Sequence, residues 1–230
     1  MPELPIISEE PSSLRLALTL GIFGLASGLL LVGAYELTLP VIEKHDKEVL
    51  REAVFKVVPD ATSMKKLVRG PSGLEPARPN DDSAGVYAAY DAHGKLEGYA
   101  LVGDGPGFQD VIRLIYGVDV ERRRITGMEV LESRETPGLG NKISKDPEFK
   151  KNFENLLVDP EVVPVRNKAA AAPENQVDII TGATISSNAV VSIINQTNAR
   201  WFEALPKPGD RSEESSLGPT RSANTRGAKP

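Results

Sequence analysis

The chain has 230 residues, enough for one domain of ordinary size plus appendages. It contains no cysteine and only two histidines, which excludes disulfides, iron–sulfur ligation and cysteine-based zinc sites and argues against a histidine-rich metal centre. The net charge is −5, from 27 basic and 32 acidic residues, without the basic excess typical of nucleic-acid-binding proteins.

An uncharged apolar segment, Leu16–Tyr35, dominates the N-terminal part of the chain. It is long enough to cross a hydrocarbon core of about 30 Å, so residues 14–40 are predicted to form a transmembrane anchor after a polar tail over residues 1–13. A cleaved signal peptide is the alternative. Its apolar region would be shorter, and Ala34-Tyr35-Glu36 is a poor cleavage site, so an uncleaved anchor is favoured.

The charges that flank this segment give a weak indication of its orientation. Arg15 is the only basic residue before the apolar segment, whereas Lys44, Lys47 and Arg51 follow it. By the positive-inside rule this small excess favours a cytoplasmic location for the rest of the chain.

Residues 41–205 are predicted to form one α+β domain. Apolar residues recur at roughly helical spacing from Val41 to Val58, which indicates a helix that continues from the anchor. A loop is predicted over residues 70–84, and a block of alternating apolar residues follows it. The candidate strands of this block are Val86–Asp91, Leu96–Gly103, Val111–Val118 and Ile125–Ser133. They favour a mainly antiparallel sheet flanked by helices.

Shorter patterns complete the domain. Apolar spacing over Pro147–Val158 predicts an amphipathic helix, and Gln176–Ile180 predicts a short strand. A longer helix is predicted from Ile185 to Leu205. Residues 206–230 have almost no apolar content and are predicted to be disordered, because they cannot offset the entropy of ordering.

Two local patterns are candidate nucleotide or phosphate sites. Gly103, Gly105 and Gly107 are spaced like part of a dinucleotide-binding loop, but Phe108–Val111 leads into a strand pattern instead of a helix, so that interpretation is rejected. The run Arg122–Arg124 lies between two candidate strands and is interpreted as a solvated turn in preference to a phosphate or lipid site.

The segment Asp178–Thr184, with the sequence DIITGAT, places a hydroxyl group directly before a predicted helix. The first turn of a helix has unpaired backbone N–H groups and the positive end of the helix dipole. Gly182 and Ala183 allow the backbone to approach an anion closely. This suits a phosphate group held at, or joined to, Thr184. Taken alone, the motif is more simply explained by a turn and a helix N-cap without a ligand.

A second motif, Glu135–Gly140 with the sequence ETPGLG, follows the candidate strands. Pro137 fixes φ, while Gly138 and Gly140 allow backbone conformations closed to other residues, so the loop can present N–H groups to a ring system or a phosphate. Thr136 can add a hydroxyl donor. A type II Pro-Gly turn without a ligand is the alternative.

Together the two motifs resemble those of the FMN-binding domain family. In that family the last threonine of an Asp-x-x-Ser/Thr-Gly-Ala-Thr motif carries FMN through a phosphoester bond that a separate flavin transferase makes, and the matching residue is Thr184. The resemblance implies covalent FMN, a place for Asp178 in the flavinylation motif, and no metal. The cofactor-binding residues that it implies are Glu135, Thr136, Gly138, Leu139, Gly140, Thr181, Gly182 and Ala183.

Within that family the chain looks most like the G subunits of Rnf-type ion-translocating ferredoxin:NAD oxidoreductases. The resemblance implies that the partners are the other membrane and soluble subunits of such a complex, a flavin transferase during maturation and membrane lipid, but not nucleic acid. It also implies a cytoplasmic tail over residues 1–13 and a flavin domain on the periplasmic side of the inner membrane, opposite to the side that the charge count favours.

Three alternatives remain at this point. The C subunits of sodium-pumping NADH:quinone oxidoreductases are close relatives of the G subunits. An anchored binding module without redox activity would have the same anchor and domain arrangement. A stand-alone flavin reductase would carry the same cofactor but act on a small substrate of its own.

Overall fold

The computed structural model of the chain describes residues 12–71, 73–78, 81 and 83–207. The chain divides into two compact units, residues 1–48 and residues 49–230. Most of the two tails predicted from the sequence lies outside the described residues.

A single long helix, α1, spans Ser13–Val57 and includes Pro40. In the first unit, the large apolar side chains of α1 between Leu14 and Ile42 are exposed. Such a continuous apolar surface is unfavourable in water, and its length and composition fit a single-pass membrane anchor. The prediction that helical structure continues past the apolar segment is confirmed, and the helix ends at Val57.

The second unit is built on a seven-stranded antiparallel sheet with the strand order β2-β1-β3-β4-β5-β6-β7. A separate parallel pair is formed by β8 and β9. The strands are β1 Ser63–Gly70, β2 Gly73–Pro76, β3 Gly85–Tyr90, β4 Leu96–Pro106, β5 Val111–Asp119, β6 Arg124–Glu132, β7 Leu156–Leu157, β8 Val163–Val165 and β9 Gln176–Asp178. The helices are α2 Lys142–Lys145, α3 Pro147–Lys151 and α4 Thr184–Trp201.

Alternating side chains of the sheet form two apolar clusters. Ala89, Ala100 and Ile115 pack with Ala53, Val54 and Val57 at the end of α1. The neighbouring strand residues point to the other face, where Leu101, Leu114 and Tyr116 join the cluster that contains Val190 and Ile194 of α4. The sheet is therefore covered on both faces, and α4 packs against its central strands.

Most predicted elements of the sheet are confirmed. The four candidate strands correspond to β3, β4, β5 and β6, and the glycine triplet lies at the end of β4 and in the turn before β5. The predicted loop over residues 70–84 is wrong in part, because Gly73–Pro76 pairs with β1. The predicted helix over residues 147–158 is too long, since it ends at Lys151 and Leu156–Leu157 pairs with β6.

The arginine run between β5 and β6 makes contacts within the domain. Arg122 pairs with Asp119 at 3.6 Å, and the Arg123 guanidinium lies 5.8 Å from the centre of the Phe202 ring. Arg124 donates to the Asn155 carbonyl at 2.7 Å and pairs with the Glu174 carboxylate. The run thus lies in a turn, as interpreted from the sequence, but its three side chains contact other residues of the domain and the turn is not simply solvated.

Candidate functional site

The segment predicted to carry the cofactor connects β9 to α4 through a tight turn. The Ala183 N–H donates to the Ile180 carbonyl at 3.0 Å, and Gly182 has a φ of +85°, as in a type II turn. Thr184 is the first residue of α4, and Ala183 is its N-cap and supplies no side-chain cap. The first hydrogen bond of the helix is donated by the Ser187 N–H to the Ala183 carbonyl at 2.9 Å. The N–H groups before it are left without partners inside the helix.

The hydroxyl of Thr184 lies at the surface of this turn. Thr184 is half-buried, whereas Thr181 and Gly182 are exposed. Arg166, which follows β8, donates from Nη2 to Thr184 Oγ1 at 3.3 Å. The hydroxyl oxygen is therefore accessible and lies next to a cationic side chain that the sequence motifs do not include.

Asp178 is fixed in the structure through its backbone. Its N–H donates to Asn152 Oδ1 at 3.0 Å, and Val165 is its partner in the β8–β9 register. Among the described residues its carboxylate accepts no hydrogen bond and forms no salt bridge. The Thr181 hydroxyl likewise forms no hydrogen bond within the described part of the chain. Both polar side chains remain available to another molecule.

The second motif forms a turn of the same kind. The Leu139 N–H donates to the Thr136 carbonyl at 3.2 Å, and Gly138 has a φ of +78°. The Gly138 N–H donates to Asn141 Oδ1 at 2.8 Å, and the Thr136 hydroxyl donates to Gln109 Oε1 at 3.0 Å. Most polar groups of this loop are thus engaged within the protein, in contrast to the expectation that several N–H groups face outward.

The Glu135 carboxylate joins the two motifs. Glu135 is only 4% exposed. Its Oε1 accepts from the N–H groups of Phe108 and Gln109 at 2.9 and 3.0 Å, and its Oε2 accepts from Ser186 Oγ at 2.5 Å. One carboxylate therefore holds the turn between β4 and β5, the second motif and the first turn of α4 in a fixed arrangement.

The hydrogen bonds to Glu135 also set its protonation. Burial raises the pKa of the Glu135 carboxyl, but the hydrogen bonds from the Ser186 hydroxyl and from the backbone of the β4–β5 turn outweigh this, so its pKa lies below the ordinary value. The carboxylate is therefore the form present near neutral pH.

The Glu135 carboxylate fits only because two neighbouring residues, Gly107 and Gly140, have no side chain. A Cβ at Gly140 would lie 2.4 Å from Glu135 Oε2 and 2.7 Å from Ser186 Oγ. A Cβ at Gly107 would lie 2.5 Å from Glu135 Oε1. These positions require glycine because the backbone approaches the carboxylate closely, whereas Gly138 and Gly182 adopt positive φ in open space.

Ser186 and Ser187 connect α4 to both motifs, and sequence reasoning did not identify them. Ser186 Oγ donates to Glu135, and Ser187 Oγ accepts from the Ile180 N–H at 3.2 Å. Both serines are fully buried. Two adjacent serines in the first turn of a predicted helix were the available signal, because serine is unfavourable inside a helix unless its hydroxyl has a specific partner.

Three exposed apolar side chains adjoin the groups that Glu135 holds together. Phe108 is 64% exposed, Leu139 52% and Ile185 57%. Phe108 donates its N–H to Glu135, Leu139 precedes Gly140, and Ile185 precedes Ser186. Exposed apolar side chains of this kind can cover the face of a planar ring.

Comparison with known proteins agrees with these motifs. Residues 107–198, which include both of them, match the family described as the FMN-binding domain. The solved structure of the C subunit of the Na(+)-translocating NADH-quinone reductase from Parabacteroides distasonis has the same fold. It is 23% identical, with a TM-score of 0.50 over 62% of this chain and 77% of that one. The predicted α+β fold is confirmed.

Two curated relatives cover most of the chain. One is the G subunit of the ion-translocating oxidoreductase complex from Methanosarcina acetivorans, 29% identical over 82% of this chain and 94% of the relative. The other is the protein of the same name from Aliivibrio fischeri strain MJ11, 31% identical over 81% of this chain and 88% of the relative. The chain contains an FMN-binding domain and belongs to the family of G subunits of ion-translocating oxidoreductase complexes.

Proposed function

We propose that FMN is joined to Thr184 through a phosphoester and that the chain relays electrons in a Rnf-type ferredoxin:NAD oxidoreductase complex. The observation that carries the proposal is the half-buried Thr184 at the first residue of α4, directly after the exposed turn residues Thr181 and Gly182. Membership in the G-subunit family supports the relay function, since the relatives are named as subunits of oxidoreductase complexes.

Attachment makes Thr184 the nucleophile. Its Oγ would form a bond to the flavin-side phosphorus of a flavin nucleotide whose phosphate is activated as an anhydride. The anhydride P–O bond would break, with the other phosphate as the leaving group, and the hydroxyl proton would pass to a base. A flavin transferase supplies the base and the activated nucleotide. The Asp178 carboxylate, which has no partner among the described residues, and the open turn at Gly182 support this role, because an enzyme must reach the hydroxyl from outside.

The protein groups around Thr184 can stabilise and orient the cofactor. The N–H groups at the start of α4 favour a phosphodiester anion by about 0.3–1 kcal/mol. Phe108, Leu139 and Ile185 would cover part of the ring system and limit its contact with water. When bound, FMN supplies the capacity to accept and donate one or two electrons. The covalent bond keeps this carrier in place between its donor and acceptor.

We propose a single-pass location in the inner membrane. The apolar part of α1 would contact lipid, residues 1–13 would lie in the cytoplasm, and the FMN-binding domain would lie on the periplasmic side. The exposed apolar side chains of the helix support the membrane location. The family resemblance supports the orientation and the other subunits of the complex as partners.

Gel fluorescence tests the proposed attachment. The full-length protein is expressed with a flavin transferase, separated by denaturing electrophoresis and viewed under ultraviolet light. We expect fluorescence for the wild type and for Thr62→Ala, an exposed threonine outside both motifs, and none for Thr184→Ala. Fluorescence retained by Thr184→Ala would place the bond elsewhere, and a dark wild-type band would refute the proposal.

A further inference from the structure

Arg166 lies beside the attachment residue although it belongs to a different part of the chain. It follows β8, whose last residue Val165 is the register partner of Asp178 and accepts a hydrogen bond from the Ile179 N–H at 2.9 Å. The parallel pairing of β8 and β9 therefore holds Arg166 near the start of the attachment segment.

The Arg166 side chain is directed at Thr184. Its Nη2 donates to Thr184 Oγ1 at 3.3 Å, and the side chain is exposed to solvent. Among the described residues Arg166 forms no salt bridge with a carboxylate. Lys168, the next cation on this segment, is engaged differently, because its Nζ donates to the Gln176 carbonyl at 2.7 Å.

We propose that Arg166 binds the phosphate of the flavin nucleotide joined to Thr184. The inference rests on the proposed attachment of FMN at this residue. A phosphodiester at Thr184 Oγ1 has two non-bridging oxygens on the same phosphorus, so they lie next to the oxygen that Arg166 already reaches. The diester carries a negative charge, and the planar guanidinium matches phosphate oxygens with more than one N–H.

This arrangement makes Arg166 a positioning residue for the cofactor. The bond formed at Thr184 leaves the ribityl chain free to rotate about the phosphodiester. A second contact, from Arg166 to a non-bridging oxygen, restricts that rotation and directs the chain toward one side of the turn. Because Arg166 lies outside both motifs, its function depends on the β8–β9 pairing and not on the motif sequence.

The test compares full-length Arg166→Gln and Arg166→Lys with the wild type and with Arg134→Gln. Arg134 is an exposed arginine of the same domain that contacts Asp110 and Glu132. Each protein is expressed with an excess of flavin transferase, so that loading approaches completion. The ³¹P resonance of the phosphodiester and the initial rate of attachment at limiting transferase are then measured. Thermal unfolding reports whether each variant folds.

We expect a displaced ³¹P resonance for Arg166→Gln, a smaller displacement for Arg166→Lys, and a wild-type resonance for Arg134→Gln. The attachment rate of Arg166→Gln should fall by about three- to tenfold, as for loss of one exposed charge-assisted hydrogen bond. If Arg166→Gln does not fold, the comparison is made with Arg166→Lys. A wild-type resonance in the folded Arg166 variants would overturn the inference, whereas a wild-type protein without flavin would overturn the proposed function itself.

Discussion

The two Gly-containing turns of the site have the same backbone form but use their polar groups differently. In the turn after Glu135, the Gly138 N–H and the Thr136 hydroxyl both donate within the protein. In the segment from the end of β9 to Thr184, the side chains of Asp178 and Thr181 have no hydrogen-bond partner among the described residues. The first turn is therefore organised as a scaffold, and the second presents its functional groups to other molecules.

The residues of the two motifs are therefore expected to have different functions, although both motifs belong to the same family pattern. Changes in the scaffold turn should lower stability and disturb the site indirectly. Changes in the attachment turn should leave stability almost unaltered and act on flavin attachment alone. Stability is best measured on flavin-free full-length protein in detergent, by denaturant titration followed through the fluorescence of Trp201, which is the only tryptophan and is buried.

The largest effect on stability is expected for Gly140→Ala. The added Cβ would overlap Glu135 Oε2 at 2.4 Å and Ser186 Oγ at 2.7 Å. Overpacking of this kind should reduce the free energy of unfolding by about 3 kcal/mol. The control is Gly138→Ala, which meets only the strain of a positive φ in open space and should cost about 1 kcal/mol. Equal losses in the two variants would contradict the scaffold assignment.

Glu135→Gln should have the next largest effect. The glutamine amide places an NH₂ group against N–H or O–H groups that now donate hydrogen bonds to the carboxylate. This should reduce the free energy of unfolding by about 2 kcal/mol at pH 7. The flavin should still attach to the folded fraction, because Thr184 is unchanged. A variant as stable as the wild type would show that the carboxylate does not hold the two motifs together.

The same variant makes a prediction about pH. The pKa of Glu135 is lowered in the folded protein, so its carboxylate stabilises the fold above the unfolded-state pKa of about 4.3. That contribution is lost as the pH falls from there through the folded pKa. The stability difference between wild type and Glu135→Gln, measured from pH 7 down to pH 3, should therefore shrink toward acid. A difference that is constant or grows toward acid would contradict the assignment.

Ser187→Ala should have an intermediate effect. It removes the acceptor of the Ile180 N–H from a fully buried position, which should cost about 1 kcal/mol. Ser192→Ala, an exposed serine of the same helix, controls for the change in helix propensity and should have little effect on unfolding. A similar loss in both variants would indicate that the bond to Ile180 contributes nothing.

The smallest effect on stability is expected for Asp178→Asn. Its carboxylate makes no described contact, so the free energy of unfolding should change by less than about 0.5 kcal/mol. Flavin attachment, followed by gel fluorescence during coexpression, should nevertheless be slower than in the wild type or in the nearby Glu174→Gln. Normal attachment in Asp178→Asn would remove this residue from the flavinylation motif.

The sheet shows which elements the sequence could predict. β3 to β6 have regular alternation and clear turn residues, so their positions were predicted closely. β1 has only Leu67 fully buried and two adjacent lysines, and β2 ends in proline, so neither has a strong periodic pattern. The predicted helix over Pro147–Val158 is longer than α3 because the apolar residues of β7, Leu156 and Leu157, continue the helical spacing.

The site was predictable only where it is local in sequence. The turns at Gly138 and Gly182 follow from their residue types, and the motifs predict Thr184 as the attachment residue. The contacts of Arg166 and Glu135 were not predictable, because they join residues 18 and 51 positions apart. Such contacts depend on the pairing of β8 with β9 and on the packing of α4 against the sheet.

Peptide mass spectrometry of protein from native membranes tests the central claim most directly. The protein is digested and the peptide that contains Thr184 is weighed and fragmented. We predict the mass of the peptide plus FMN less one water, with the added mass located on Thr184 and absent from Thr181. An unmodified Thr184 peptide as the main species would contradict the account.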